Sequence, residues 1–307
     1  MRAALNGLVD GLVVAAYGKR YEVEITDTDT IKHQVSCVTR GKKTDLACGD
    51  FVQIKITDTA KNTPEGVVEK SLPRKTLLYR SNAFKSKTLA SNVTQIIIVL
   101  ATQPSFYEAL LNRCLIAAEA AGIKALIILN KCDLANNSDA LSKLFLYQQL
   151  GYEVLALSAK VDISPLKKHL SGHTSVLVGQ SGMGKSTIVN ALLPHENVRT
   201  REVSDVLDSG KHTTTATHLY HIDASSKLID SPGLQEFGLH HLSALELEHA
   251  FIEFKPYLGK CRFNNCIHHH EPDCAIIAAV VTGEIAASRL AYYQILYAEN
   301  AIKQPYV

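Results

Sequence analysis

Along the first quarter of the chain, apolar and polar residues trade places in short bursts, the pattern of strands that bury one face. Gly11-Leu-Val-Val-Ala-Ala, Tyr21-Glu-Val-Glu-Ile, Gln34-Val-Ser-Cys-Val and Phe51-Val-Gln-Ile-Lys-Ile read as strands, and the second and fourth alternate strictly. Arg40-Gly-Lys-Lys, Cys48-Gly-Asp and Thr63-Pro-Glu-Gly read as the turns between them. Four or five strands in so short a span predict a small all-β barrel, with the OB-fold as the expected form. Pro73, Arg74 and Lys75 lead out of it.

From about residue 90 the pattern changes to continuous apolar runs. Thr94-Gln-Ile-Ile-Ile-Val-Leu, Lys124-Ala-Leu-Ile-Ile-Leu and Glu153-Val-Leu-Ala-Leu have the character of strands buried on both faces. Between the first two, Ser105 is positioned to cap a helix reaching Ala121. Leu111, Cys114, Leu115 and Ala118 share one face of that helix, and Gly122 stops it. Strand and helix in alternation predict a parallel α/β sheet. Beyond about residue 240 the chain reads as mainly helical, interrupted by a cysteine cluster, with helices expected over Cys274 to Thr282 and Glu284 to Asn300. The expected division is 1–80, 81–240 and 241–307.

Composition narrows this little: 46% hydrophobic and 20% charged residues in 307 are ordinary for a globular protein. No apolar run approaches the roughly 18 residues that span a bilayer, and the first residues lack the hydrophobic segment of a secretory signal. Cytoplasm is the expected location, with no membrane partner. Net charge is +2, yet residues 1–90 carry 15 Lys and Arg against 10 Asp and Glu. A basic N-terminal part fits an RNA-facing module and equally a solvated basic face. In that compartment seven cysteines argue against a disulfide framework. Cys261, Cys266 and Cys274 crowd into 14 residues, which points to a metal.

The clearest chemistry lies at Gly179, Gln180, Ser181, Gly182, Met183, Gly184, Lys185 and Ser186, followed by Thr187. They match G-x-x-x-x-G-K-[ST] between a strand (Thr174-Ser-Val-Leu-Val) and a helix read from Thr187 to the Pro194 boundary. Such a loop turns backbone N–H groups onto phosphates at a helix N-terminus. Lys185 would reach the β- and γ-phosphates, and Ser186 would ligate Mg²⁺.

The base is chosen elsewhere. Asn130, Lys131, Cys132 and Asp133 directly follow a buried strand, and their aspartate can accept from guanine N1–H and the exocyclic amine. Adenine offers no such donor pair, so it would leave the carboxylate unpaired. Ser158, Ala159 and Lys160, again at a strand end, are the usual companion that closes over guanine. GTP and GDP are therefore the expected ligands, and an ATP enzyme is disfavoured.

Asp230-Ser-Pro-Gly233 reads as D-x-x-G, with Asp230 holding Mg²⁺ through water and the Gly233 amide sensing the γ-phosphate. Gly210-Lys-His-Thr-Thr-Thr215 occupies the place of a first switch loop. Thr214 is the favoured Mg²⁺ ligand, with Thr213 and Thr215 as rivals. The position after D-x-x-G is Leu234, which cannot orient the attacking water. Intrinsic hydrolysis should be slow, and His212 is the candidate to act on that water.

These elements run in an unusual order. The guanine motif at 130 and its companion at 158 precede the phosphate loop at 179, the threonines at 213 and D-x-P-G at 230, a circular shift of the common arrangement. The second switch then leads straight into the C-terminal region.

In these residues, and in that order, the chain resembles the circularly permuted bacterial GTPases of small-ribosomal-subunit biogenesis, the RsgA/YjeQ type. Cys261-Arg-Phe-Asn-Asn-Cys266-Ile-His268-His-His-Glu-Pro-Asp-Cys274 is similar to that family's zinc motif, with Asn265 and Asp273 where Asp and Gly are expected. Three thiols and one imidazole make the Cys₃His set of a closed structural site. Spacing does not separate His268 from His269 and His270; the family motif selects His268. The resemblance implies an N-terminal OB-fold that binds RNA, a permuted P-loop GTPase domain and a C-terminal, mainly α zinc domain with one Zn²⁺. It also implies hydrolysis stimulated by the small (30S) subunit and its rRNA in late maturation, by a monomeric assembly factor. A GTP-dependent RNA-binding factor with incidental turnover is the alternative.

Overall fold

The computed structural model describes residues 7–26, 31–40, 45–81, 86–134, 137–194, 217–230 and 239–301. Five strands form a closed barrel: β1 (Val9–Tyr17), β2 (Arg20–Thr26), β3 (Lys32–Thr39), β4 (Phe51–Asp58) and β5 (Glu65–Ser71). Pairing runs β1-β2-β3-β5-β4 and returns from β4 to β1, antiparallel except where β3 meets β5. The alternation of β4 is realised as written, with Val52, Ile54 and Ile56 buried and Phe51 and Lys55 exposed. Val13, Tyr21, Val23, Ile25, Val35, Cys37 and Val68 complete the barrel core. The Thr63-Pro-Glu-Gly turn is shorter than expected, because β5 starts at Glu65. A Cβ on Gly66 would stand 3.1 Å from the Lys55 carbonyl oxygen, so this glycine serves strand approach rather than a turn.

At the barrel exit Arg74 turns inward, its Nε and Nη2 each donating at 2.7 Å to the carboxylate of buried Asp50. A hairpin, β6 (Leu77–Ser81) with β7 (Ser86–Ser91), then crosses the 80/81 position.

The central region holds the parallel strands β8 (Gln95–Ala101), β9 (Lys124–Asn130), β10 (Glu153–Ala156), β11 (Thr174–Val178) and, beyond the antiparallel β12 (Thr217–His221), β13 (Lys227–Asp230). Their spatial order is β10-β9-β8-β11-β13-β12. Every residue of β8 is buried, as its continuous apolar run requires. Helices α1 (Glu108–Ala121), α2 (Ser138–Gln149), α3 (Ser164–Leu170) and α4 (Lys185–Leu192) connect the strands. Ser105 does not cap α1. The helix begins at Glu108, with the Tyr107 amide donating to Gln180 Oε1 at 2.8 Å, so a tertiary bond takes the place of a local hydroxyl. Gly122 ends α1 as expected, at φ +64. Helix α4 starts two residues before the expected Thr187.

The barrel and the central sheet are one continuous sheet. Strand β12 pairs with β1 in the register Ala15 to His218 and Ala16 to Thr217, and the Cys48 thiol donates to the Thr217 carbonyl at 3.0 Å.

The C-terminal region consists of α5 (Ala244–His249), a 3₁₀ turn (Ile252–Tyr257), α6 (Ala275–Val281) and α7 (Ala287–Ala301). Arg289 on α7 is fully buried, donates to Glu253 and to Asn112 of α1, and lies 4.7 Å from the Phe251 ring centre. The Tyr292 hydroxyl donates to the Ala109 carbonyl at 2.7 Å, and Arg113 pairs with Glu299 at 2.7 Å. Helix α7 is thereby bonded to α1 along its length. Among the described residues no helix is long and apolar enough to cross a membrane.

Candidate guanine-nucleotide site and metal centre

The guanine motif, its companion and the phosphate loop meet where β9, β10 and β11 end. Asn130, the last residue of β9, is buried and acts on both sides. Its Nδ2 donates to the Met183 carbonyl at 2.9 Å, and its Oδ1 accepts from the Ala159 amide at 3.0 Å. One side chain therefore joins the three motifs. Beside it, the Ser158 hydroxyl donates to Asp133 at 2.5 Å and holds that carboxyl below the usual carboxylate range. Lys131 adopts φ +64 and donates from Nζ to the Gln103 carbonyl at 2.7 Å. Cys132 takes a structural place, its amide donating to the Leu157 carbonyl at 3.1 Å. Lys160 is exposed at the rim.

The phosphate loop leaves β11 at Gly179. Met183 is buried in the core, Ser181 is exposed, and Ser186 and Thr187 lie in the first turn of α4. Gly184 sits at φ +91, and a Cβ there would stand 2.4 Å from Asn130 Nδ2, so the bridge between motifs needs glycine at this point. Lys185 donates to the carbonyls of Gly179 at 2.6 Å and Gln180 at 2.7 Å. Burial lowers the Lys185 pKa and raises that of Asp230, and each charge counters the shift of the other. Lys185 of the loop and Asp230 at the end of β13 thus set a cation and an anion in a partly dry mouth, the arrangement suited to polyphosphate with a divalent ion.

A second cluster lies in the C-terminal region. Cys261, Cys266, His268 and Cys274 bring their ligand atoms within 4.8 Å of one another. A tetrahedral zinc site has sulfur–sulfur edges of about 3.8 Å and sulfur–nitrogen edges of about 3.6 Å. Here Cys261 and Cys274 sulfurs are 3.8 Å apart, and His268 Nδ1 lies 3.7, 3.4 and 3.2 Å from Cys261, Cys266 and Cys274. The cluster is compatible with zinc. His268 is buried, whereas His269 and His270 are exposed, which separates the three histidines as spacing does not. Its Nε2 pairs with Glu248 Oε1 at 2.9 Å, the place of the outer carboxylate that would orient the imidazole toward a metal. Asp273 stands at φ +54, a backbone conformation that favours the glycine expected at this position.

The RsgA GTPase family model matches residues 71–240. The chain is 49% identical over 289 residues to the small ribosomal subunit biogenesis GTPase RsgA of Nitrosospira multiformis, covering 94% of this chain and 90% of that one. The chain belongs to the RsgA GTPase family. It is 48% identical to the same-named protein of Nitrosomonas europaea, over 92% of this chain and 89% of that one. Among solved structures it is similar to YjeQ from Thermotoga maritima, with TM-score 0.74 and 29% identity over 97% of this chain and all (100%) of that one. It is similar also to YloQ, a circularly permuted GTPase, with TM-score 0.70 and 27% identity over 99% and 98%.

For a member of this family, several residues matter that periodicity does not reveal. Glu248 stands 20 residues before His268 and carries no motif. Gln180 fills a variable position of the phosphate loop yet sets the start of α1. Strand β12 (Thr217-His-Leu-Tyr-His) has too little apolar character to be read as a strand. His212, Thr213, Thr214, Thr215, Gly233 and Leu234 lie outside the described residues. The ends that flank them are adjacent: β12 begins at Thr217, and Asp230 pairs with His218.

Proposed function

We propose that the chain hydrolyses GTP on the small (30S) ribosomal subunit, as an assembly factor acting late in that subunit's maturation. The observation that supports it best is the Asn130 amide, which joins guanine-reading loop, companion loop and phosphate loop into one site despite their permuted order. In this reading Asp133, hydrogen-bonded by Ser158, accepts from the guanine edge, and Ala159 and Lys160 close over the ring. Gly179 to Thr187 wrap the phosphates, with the Lys185 ammonium exchanging loop carbonyls for phosphate oxygens. Ser186, Thr214 and Asp230 would hold Mg²⁺, which supplies charge neutralisation on the phosphates when bound. Gly233 senses the γ-phosphate. His212 orders the water that Leu234 cannot. Cys261, Cys266, His268 and Cys274 hold one zinc ion as a structural centre, and the barrel faces rRNA. The protein acts as a monomer in the cytoplasm.

The names of the relatives support the ribosomal assignment. Hydrolysis by the purified protein should be slow and should rise by orders of magnitude with small ribosomal subunits, against a Lys185→Ala background. Unchanged turnover with the subunit, with GTP still bound, would remove the ribosomal part of the reading and leave the site.

A further inference from the structure

His218 is the position at which two strand pairings coincide. On one side of β12 it stands opposite Ala15 of the barrel strand β1, and on the other opposite Asp230 at the end of β13. Residues directly opposite in an antiparallel ladder share a face, so the imidazole and the Asp230 carboxyl lie on one side of the sheet. The barrel reaches the same side chain. Tyr17, at the end of β1, meets the His218 ring edge-on with centroids 5.5 Å apart, and Tyr220 stacks on it from two residues along at 6.2 Å.

The junction is held on both flanks of this contact. Cys48 donates to the Thr217 carbonyl at 3.0 Å, and Glu24 of β2 lies between Lys32 at 3.2 Å and His221 at 3.0 Å. Moving the barrel therefore requires moving β12, and His218 with it.

We propose that His218 is a positioning residue that ties the seating of the barrel on β12 to Asp230, through its edge contact with Tyr17. A partner that shifts the barrel thereby resets the surroundings of the carboxylate that faces magnesium. This rests on the reading of Asp230 given above. The Tyr17 ring fixes the imidazole opposite Asp230, and withdrawal of the ring frees it.

The chain contains no tryptophan, so Tyr17→Trp places a single indole at the contact. In the full-length protein its emission is followed as Mg²⁺ is added with GDP or with a non-hydrolysable GTP analogue, while calorimetry follows nucleotide binding. The expected result is an emission shift whose Mg²⁺ midpoint matches that of binding, lost when His218→Phe is added. In the otherwise native chain, Tyr17→Ala and His218→Phe should raise the Mg²⁺ midpoint for analogue binding about fivefold or more, the lower end of couplings between sites. Tyr17→Phe, which keeps the ring, should leave it unchanged. An indole indifferent to Mg²⁺ and nucleotide while calorimetry records binding overturns the proposal. So does an unshifted midpoint in His218→Phe, which preserves ring packing and so guards against a Tyr17→Ala protein that fails to fold. Asp230→Asn separates the two levels: an unchanged midpoint there removes the site reading itself, whereas a raised one with silent Tyr17 and His218 variants removes only the coupling.

Discussion

The Ser158 hydroxyl and the backbone around Asp133 hold its carboxyl below the usual carboxylate range, and Asn130 fixes the loop that carries it against the phosphate loop. In the proposed reading an anion in this place pairs with the two donors on the guanine edge, and adenine presents an acceptor where a donor is needed. Asp133→Asn keeps the shape and exchanges an acceptor for a donor. GTP affinity should fall by about tenfold or more, because hydrogen bonds to charged groups are the stronger kind. Xanthosine triphosphate, with an oxygen in place of the amine, should bind in its stead. Titration calorimetry with both nucleotides checks this; equal GTP affinity in the variant would place base recognition elsewhere. Ser158 has a separate contribution, which a Ser158→Ala variant reads as a Asp133 carboxyl restored toward its ordinary pKa.

At the scale of elements, the site is a set of loops held by strand ends. Strands β8, β9 and β11 are buried throughout or nearly so, and their rigidity sets the spacing of the loops that follow them. Gly184 is the point of closest approach between two of those loops. Gly184→Ala combines a left-handed backbone with a Cβ against Asn130 Nδ2, so the Asn130–Met183 bond should break. We expect a loss of about 1–3 kcal/mol of stability, the range for a residue forced into a sparsely allowed backbone region. Nucleotide binding should fall with it. Urea unfolding and calorimetry on the same preparation check both effects, and a variant of normal affinity would show that the Asn130 bridge is dispensable. The apolar runs made these strands legible. The start of α1 was not, because Gln180 from the phosphate loop supplies the bond that a serine hydroxyl was expected to supply.

At the scale of the whole molecule, the C-terminal helices are joined to the central domain through a buried charge. Arg289 and Glu253 are both almost fully buried, and Arg289 also reaches Asn112 on α1. Removing the guanidinium strands Glu253 in a dry environment, where an unpaired carboxylate is costly. Arg289→Ala should destabilise the protein by about 3–5 kcal/mol, and Arg289→Met with Glu253→Leu should recover much of it. Denaturant unfolding of the single and double variants measures this; a single variant of native stability would show that water reaches the pair. At the other end of the molecule, the shared strand β12 makes barrel and central sheet one hydrogen-bonded unit, and there the contact of Tyr17 with His218 lies.

Short-range chemistry was readable from the order of residues alone. A glycine-rich loop between a strand and a helix, an aspartate after a buried strand, and three cysteines within 14 residues each point locally to an expected ligand, because sites for phosphate, guanine and zinc are written in small fixed patterns. The permuted order was readable for the same reason. Which partners those patterns would find was decided only in three dimensions. Glu248 meets His268 because α5 packs beside the cysteine loop, and Ala15 meets His218 because an edge strand left open by the central sheet pairs with the barrel. Arg289, charged and in a helix, would be assigned to the surface by pattern; packing of α7 on α1 buries it against a carboxylate. Such contacts join residues far apart in the chain, and no local period records them, since the free energy that selects them comes from burying both partners at once.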